Sequence, residues 1–234
     1  MTLSTKGRLL GLDRVCEVKT PRRKLTKLAA QGKADELAAR LARLQLAGRE
    51  EALGFLYVDG HVRVYHGKHK LAKGYVTQRR LAMPATTDYW VNDQEGSPIL
   101  VVTAPANEGL SQMLLPVLDE VRQLLGSQRR VTVVFDRGGW SLKLFRTMVD
   151  KGFDFVTYRK GTVEPIPEAH FSPQRAWLDG GWREYRLHER SVFHPTARFW
   201  LRQVSHFNHA AHQTHIVTSR QDLPATPTSA SSMP

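Results

Sequence analysis

Cysteine is almost absent from this chain of 234 residues, in which Cys16 is the one example. A single cysteine excludes an internal disulfide and suits a reducing compartment. No apolar run approaches the roughly 20 residues that a membrane-spanning helix needs, and the run at residues 9–12 is too short for a signal peptide. We therefore expect a cytoplasmic protein with no membrane partner, long enough for one large domain or two small ones.

Acidic residues are also in short supply. Against 34 Lys and Arg there are 22 Asp and Glu, which leaves a formal net charge of +12. Charge of this sign attracts polyanions by Coulomb steering and counterion release. Because no basic amphipathic helix with an aromatic face accompanies the charge, nucleic acid is favoured over a membrane surface. Each basic cluster alone is more often a solvated face, but their sum favours nucleic acid. The candidate DNA-binding residues are Arg22, Arg23, Lys24, Lys68 and Lys70.

Two short apolar runs, each followed by an aspartate, form the most informative local pattern. The run at residues 55–58 precedes Asp59, and the run at residues 131–135 precedes Asp136. Such β-branched and aromatic runs predict buried strands, and open α/β sheets place ligand sites at the carboxyl ends of their strands. Two such carboxylates can share a divalent cation such as Mg²⁺. The alternative is that each aspartate only begins a turn with the glycines that follow it.

The remaining hydrophobic periodicity predicts an α/β protein. Leucines at helical spacing indicate a basic, mainly helical arm over residues 1–52. Strands are predicted at residues 55–59, 61–66, 98–103, 131–135 and 153–158, with a hairpin at Gly60. Helices are predicted at residues 110–125, where Pro116 implies a kink or a later start, and from about residue 141. The order strand-strand-strand-helix-strand-helix-strand is that of a mixed-sheet, ribonuclease-H-like fold with flanking helices.

The last third of the chain predicts short strands and then a tail. Strands at residues 182–188, 199–204 and 215–218 suggest a β-rich insertion over about residues 160–218. Residues 221–234 are rich in Ser, Thr, Pro and Ala and are expected to be disordered.

Two side-chain patterns in this region have competing interpretations. Histidines recur at His206, His209, His212 and His215. Zinc sites use histidine, but a step of three residues matches neither the period of a helix nor that of a strand. The four rings therefore do not share one face, and an exposed polar loop is favoured. Trp182, Phe199 and Trp200 can stack on bases, although burial within strands is commoner for such side chains.

Several sequence stretches resemble the catalytic core of bacterial DDE transposases of insertion sequences. They are Tyr-Val-Asp-Gly-His-Val-Arg-Val-Tyr-His-Gly-Lys-His-Lys from residue 57, Val-Thr-Val-Val-Phe-Asp-Arg-Gly-Gly-Trp-Ser from residue 131, Tyr-Arg-Lys-Gly from residue 158 and Val-Thr-Ser-Arg-Gln-Asp-Leu from residue 217. The resemblance covers roughly residues 10–224 in the same order.

This resemblance implies a ribonuclease-H-like core, here residues 53–220, in which two Asp and one Glu hold two Mg²⁺ ions. Mn²⁺ is an alternative metal, DNA ends and target DNA are the implied partners, and a homo-oligomer is one option for assembly. Asp59 and Asp136 match the first two acids, while His61, Lys68 and Arg137 become candidate phosphate contacts from their proximity in sequence.

The chain departs from the family at the third acid. The family's Glu lies on a helix after the Arg-Gln-Asp-Leu-Pro stretch, but the ten residues after Pro224 contain no acid. Glu184 and Glu189 lie on a predicted strand in the insertion and do not match the family position. We therefore expect a truncated transposase with little or no activity; the alternatives are a catalytically silent DNA-binding remnant and a metal-dependent nuclease of the same fold.

Overall fold

The structure is a computed structural model that describes residues 16–49, 53–77, 79–125, 129–178, 180–195 and 198–223. The chain divides into two compact units, residues 1–47 and 48–234. In the first unit, helix α1 (Lys19–Ala30) and helix α2 (Ala34–Leu46) are joined through Gly32, whose φ of +65° favours glycine. Residues 1–15 and 50–52 of the predicted arm and residues 224–234 of the predicted tail lie outside the described residues.

Local sequence accounts for these two helices. Asp35 and Glu36 lie in the first turn of α2, where negative charge complements the helix dipole, and Glu36 accepts a hydrogen bond from Arg40 one turn later. The leucines that give the helical period remain largely in solvent, since Leu41 and Leu44 are 55% and 74% exposed. Their spacing predicted the helix correctly, but it does not report burial.

The second unit contains one sheet of ten strands and two helices within its described residues. The strands are β1 (Phe55–Val64), β2 (Lys73–Val76), β3 (Leu81–Asn92), β4 (Pro98–Pro105), β5 (Val131–Phe135), β6 (Phe153–Tyr158), β7 (Ser172–Leu178), β8 (Gly181–His194), β9 (Phe199–Phe207) and β10 (Gln213–Thr218). The helices are α3 (Leu110–Leu125) and α4 (Leu142–Asp150), and short 3₁₀ turns occupy Arg137–Gly139 and Glu168–His170.

The sheet is mixed, as predicted. Its strand order is β2-β3-β1-β5-β6-β10-β9-β8-β7, and β4 also pairs with β3. Strands β1, β5 and β6 run parallel to one another, while every other pairing is antiparallel. The two parallel connections pass through α3 and α4, as expected for crossovers between parallel strands.

The hairpin predicted at Gly60 is wrong. Residues 55–64 form one continuous strand, and its antiparallel partner is β3, in which Tyr89 faces Gly60. A Cβ atom on Gly60 would lie 2.8 Å from the Tyr89 ring, so the glycine allows a close approach between strands instead of making a turn. Strand β3 was missed because Pro84 and the polar run from Thr86 to Asp88 conceal its alternation.

The other elements differ from prediction mainly in length. Helix α3 begins at Leu110 and runs through Pro116, so it does not start after the proline. Ser141 caps α4, because its hydroxyl oxygen accepts a hydrogen bond from the Leu144 amide. The strands predicted after residue 160 are longer, β7 is additional, and β10 pairs directly with β6. The predicted β-rich segment therefore continues the sheet of the second unit.

The core lies between the sheet and the two helices. Leu56 and Val58 alternate inwards along β1, and Phe135 and Phe155 lie beside them on the parallel strands. The Phe155 ring stacks on Phe145 of α4 with centroids 4.3 Å apart. Full burial of side chains of this size contributes about 1.5–3 kcal/mol each. In the described segments, no helix combines the length and the apolar composition that crossing a bilayer would need.

The close approach at Gly60 gives a test of the strand pairing. We expect Gly60→Ala to lower the free energy of unfolding by about 1–3 kcal/mol, because the new methyl group forces the buried Tyr89 ring to move. Chemical denaturation measures this loss. Gly54→Ala is the matched control, since its nearest neighbour would be Gln94 at 3.9 Å; an equal loss in both variants would contradict the proposed steric cause.

Candidate active site

The two aspartates singled out by the sequence lie at one edge of the parallel part of the sheet. Val58 of β1 faces Phe135 of β5 in the last register pair of these strands. Asp59 and Asp136 each follow one position later, Asp59 within β1 and Asp136 directly after β5. Since neighbouring strands are about 4.8 Å apart, the register brings these two residues to adjoining positions.

Both carboxylates are exposed and accept short local hydrogen bonds. Asp59 Oδ1 accepts from the Gly60 amide at 2.9 Å, and Asp136 Oδ1 accepts from the Gly138 amide at 2.8 Å. The second bond caps the 3₁₀ turn after β5, which confirms that Asp136 also has the turn-forming role considered for it. Neither carboxylate forms an ion pair with a cationic side chain in the described segments.

A buried tyrosine lies beneath this edge of the sheet. Tyr89 packs its ring against Gly60 and donates its hydroxyl hydrogen to the Glu108 carbonyl oxygen. Burial, followed by the negative charges of Glu108 and Asp136, raises the pKa of the Tyr89 phenol. The phenol therefore stays protonated and supports the strand that carries Asp59.

The candidate phosphate contacts occupy separate places. Arg137 follows Asp136 in the 3₁₀ turn, and His61 lies two residues beyond Asp59 on β1. Lys68 and Lys70 are exposed in the loop after β1. The cluster Arg22, Arg23 and Lys24 lies exposed on α1 in the first unit. Of these candidates, Arg137 is the one that directly follows an aspartate of the pair and lines a groove together with it.

A polar groove opens next to Asp136. It has a volume of about 630 Å³, and its lining residues are Asp136, Arg137, Tyr158, Arg159, Gly161, Val163, Gln213, Thr214 and His215. The sequence patterns did not identify Arg159, which lines this groove, or the residues Gln203 and Ser205, which are hydrogen-bonded behind it. Arg159 was visible only as part of the Tyr-Arg-Lys-Gly stretch, and no local pattern connects it with β9.

Neither glutamate considered for the third acid lies near the aspartates. Both are on β8, which is four strands from β5, or roughly 19 Å at the usual strand spacing. Glu189 accepts from Arg202 at 2.6 and 2.7 Å, and this partner lowers the pKa of the Glu189 carboxyl. Glu184 lies 3.5 Å from Arg175. Across the described ranges, no three His, Cys, Asp or Glu side chains form a group that could hold a metal.

The structure also distinguishes the interpretations of the histidines and tryptophans. His206 lies on β9, His215 lies on β10, and His209 and His212 belong to the connection between them. The expected exposed loop therefore describes His209 and His212, whereas His206 and His215 are half-buried on strands. Among the described residues, no three His, Cys, Asp or Glu side chains are grouped around these histidines. Trp182 and Trp200 are 68% and 59% exposed, so the expectation that they are buried is wrong for both.

Comparisons with known proteins agree with the resemblance at the level of the family. No curated protein matches the sequence. A cryo-EM structure of the piggyBac transposase synaptic complex with hairpin DNA is similar, with 13% identity and a TM-score of 0.45, over 73% of this chain and 34% of that chain. The profile of a family described as "Transposase protein" matches residues 3–226. Since this match spans nearly the whole sequence, the chain belongs to that transposase family.

Proposed function

We propose that this chain is a DNA transposase of the DDE class with a ribonuclease-H-like core, of the kind found in bacterial insertion sequences. The observation that carries the proposal is the pair Asp59 and Asp136 at adjoining positions on the parallel strands β1 and β5. Family membership supports the activity. The strand order β4-β3-β1-β5-β6 supports the fold, because it joins three antiparallel neighbours, β4, β3 and β1, to two strands that run parallel to β1 and each follow a helix.

The aspartate pair fits a hard divalent cation. Each carboxylate keeps its second oxygen beyond the one that accepts a backbone amide, and neither is neutralised by Arg or Lys in the described segments. Asp59 and Asp136 are therefore the proposed ligands of Mg²⁺, with Mn²⁺ as a substitute. When bound, such ions activate the attacking water or hydroxyl and stabilise the leaving oxygen. Arg137 would hold the DNA phosphate beside them.

DNA is the proposed partner because of the charge and its location. The net charge of +12 favours a polyanion, and the basic residues on α1 and after β1 are exposed. Exposed Trp182 and Trp200 add aromatic faces on which bases can stack. The second candidate function is DNA binding without strand cleavage, which the lack of a third acid beside Asp59 and Asp136 in the described segments favours.

Metal binding tests the proposed site without requiring catalysis. We expect Asp59→Asn and Asp136→Asn each to weaken Mn²⁺ binding by about tenfold or more, since each removes a charged ligand. Electron paramagnetic resonance of free Mn²⁺ measures the affinity. Asp150→Asn removes an exposed carboxylate of α4 that pairs with Arg146 and should leave the affinity unchanged. Equal Mn²⁺ affinity in all four proteins would exclude the aspartate pair as the metal site.

Strand cleavage distinguishes the two candidate functions. We expect slow nicking of supercoiled plasmid with Mn²⁺ that Asp136→Asn abolishes and Asp150→Asn preserves, because two carboxylates supply only part of the usual ligand set. Gel electrophoresis of the plasmid forms gives the rate. DNA binding without any Asp136-dependent nicking would instead favour the silent DNA-binding protein.

The salt dependence of binding tests the DNA partner. We expect the affinity for duplex DNA to fall steeply as the salt concentration rises. Replacement of Arg22, Arg23 and Lys24 by Ala should flatten the slope of log affinity against log salt by up to about 2.7, or about 0.9 for each lost phosphate contact. Fluorescence anisotropy across a salt series measures the slope.

The control variant replaces three cations in or next to α4, namely Lys143, Arg146 and Lys151. Arg146 forms an ion pair with Asp150, and Lys151 forms one with Asp119. Because two of the three charges are already partly neutralised by acidic partners, this variant should retain most of the wild-type slope. A wild-type slope near zero would contradict a DNA partner, and equal flattening in both variants would contradict a specific role for the α1 cluster.

A further inference from the structure

The groove beside Asp136 contains a fixed arginine. The Arg159 amide donates to the His215 carbonyl at 2.8 Å, which continues the pairing of β6 with β10. Its guanidinium donates to Gln203 Oε1, and Gln203 is fully buried. Oε1 is the single acceptor atom of the glutamine side chain, and the burial of Gln203 holds it in place. The contact therefore fixes the direction in which the Arg159 guanidinium points.

The partners of Gln203 form a closed polar network. Gln203 Nε2 donates to Ser205 Oγ at 3.0 Å, and Ser205 Oγ lies 2.8 Å from His215 Nδ1. Ser205 is also fully buried, whereas His215 lines the groove. Burial, followed by the charges of Arg159 and Arg190, lowers the pKa of the His215 imidazole. This shift favours the neutral imidazole, so the positive charge that lines the groove comes from its arginines.

Positive charge around this network has no carboxylate partner in the described segments. Arg159 and Arg137 line the groove, and Arg190 is the cross-strand neighbour of Gln203. None of the three forms an ion pair with a described Asp or Glu. Burial, followed by the charge of Arg190, lowers the pKa of the Arg159 guanidinium. An anion in the groove would relieve this repulsion, and the lining carboxylate, Asp136, belongs to the proposed metal site.

We propose that this groove is a nucleotide subsite, in which Arg159 binds a DNA phosphate next to the one held at Asp59 and Asp136. The guanidinium fork matches two phosphate oxygens, and Arg137 provides a second cation on the side of Asp136. The volume of about 630 Å³ lies within the range of small-ligand pockets, and Tyr158 offers an exposed ring to the sugar or base. This proposal rests on the proposed transposase function. It adds that Arg159 positions the DNA strand on one side of the reacting phosphate.

A titration with small probes tests the subsite without metal or cleavage. Thymidine 3′,5′-bisphosphate, inorganic phosphate and thymidine are added to the intact chain while the ring signals of His215 are followed by NMR. We expect saturable shifts of His215 with the bisphosphate, at an affinity at least about tenfold above that for phosphate or thymidine alone. Calorimetry of the same titration provides a second measurement of affinity.

Variants then identify the phosphate contact. Arg159→Met should weaken bisphosphate binding by about ten- to a hundredfold, the usual cost of a lost charge-assisted hydrogen bond. Arg159→Lys keeps the charge without the fork and should have an intermediate affinity. Arg146→Met removes an exposed arginine of α4 and is the control, which should bind as the wild type does. Unfolding midpoints show whether each variant is folded.

Three outcomes would overturn the subsite. They are the absence of saturable binding, equal affinities for bisphosphate and inorganic phosphate, and equal effects of Arg159→Met and Arg146→Met. Because these measurements contain no divalent metal and no strand cleavage, they can fail while the Mn²⁺ and nicking assays succeed, so the subsite and the transposase function are tested separately.

Discussion

The in-register parallel pairing of β1 with β5 is the constraint on which the site depends. It places Val58 beside Phe135 on the buried face and brings the following residues, Asp59 and Asp136, to one edge. Because side chains alternate along a strand, a slip of one residue would expose the apolar pair. The energy that fixes the register therefore comes from packing against α3 and α4, and the positions of the two acids are a consequence of core burial.

The two faces of the sheet have different roles. One face is closed by Phe145 and the other apolar side chains of α3 and α4, which bury Leu56, Val58 and Phe155. On β1, Tyr57 and Asp59 alternate to the opposite face, where Tyr57 is 42% exposed. Trp90, the β3 neighbour of Asp59, is also exposed. An acid on an exposed face, beside exposed aromatic rings, is accessible from solvent.

Sequence patterns predicted the parts of this arrangement that short-range periodicity controls. The strands at Val131–Phe135 and Phe153–Tyr158 and the helix beginning after Ser141 follow their local patterns closely. Strand β3 has no such pattern, because its buried Asp88 is stabilised by hydrogen bonds from Arg63 and Thr103 on neighbouring strands. Likewise, Arg159 meets Gln203 across 44 residues, a contact that no local spacing can indicate.

The strands after residue 160 complete one side of the candidate site. Pairing of β10 with β6 brings His215 beside Arg159, directly next to the end of β5. Side-chain hydrogen bonds connect the same strands at their opposite end. Asp154 accepts two hydrogen bonds from Arg130, and Ser219, just after β10, donates to the same carboxylate. Asp154 is buried, so removal of these donors would leave an unpaired charge at substantial cost. The Asp154 carboxylate thus connects the start of β5, β6 and the end of β10. The segment from β7 to β10 is part of the same sheet that positions Asp136. Changes in β9 or β10 can therefore alter the site, although they lie outside the two aspartate motifs.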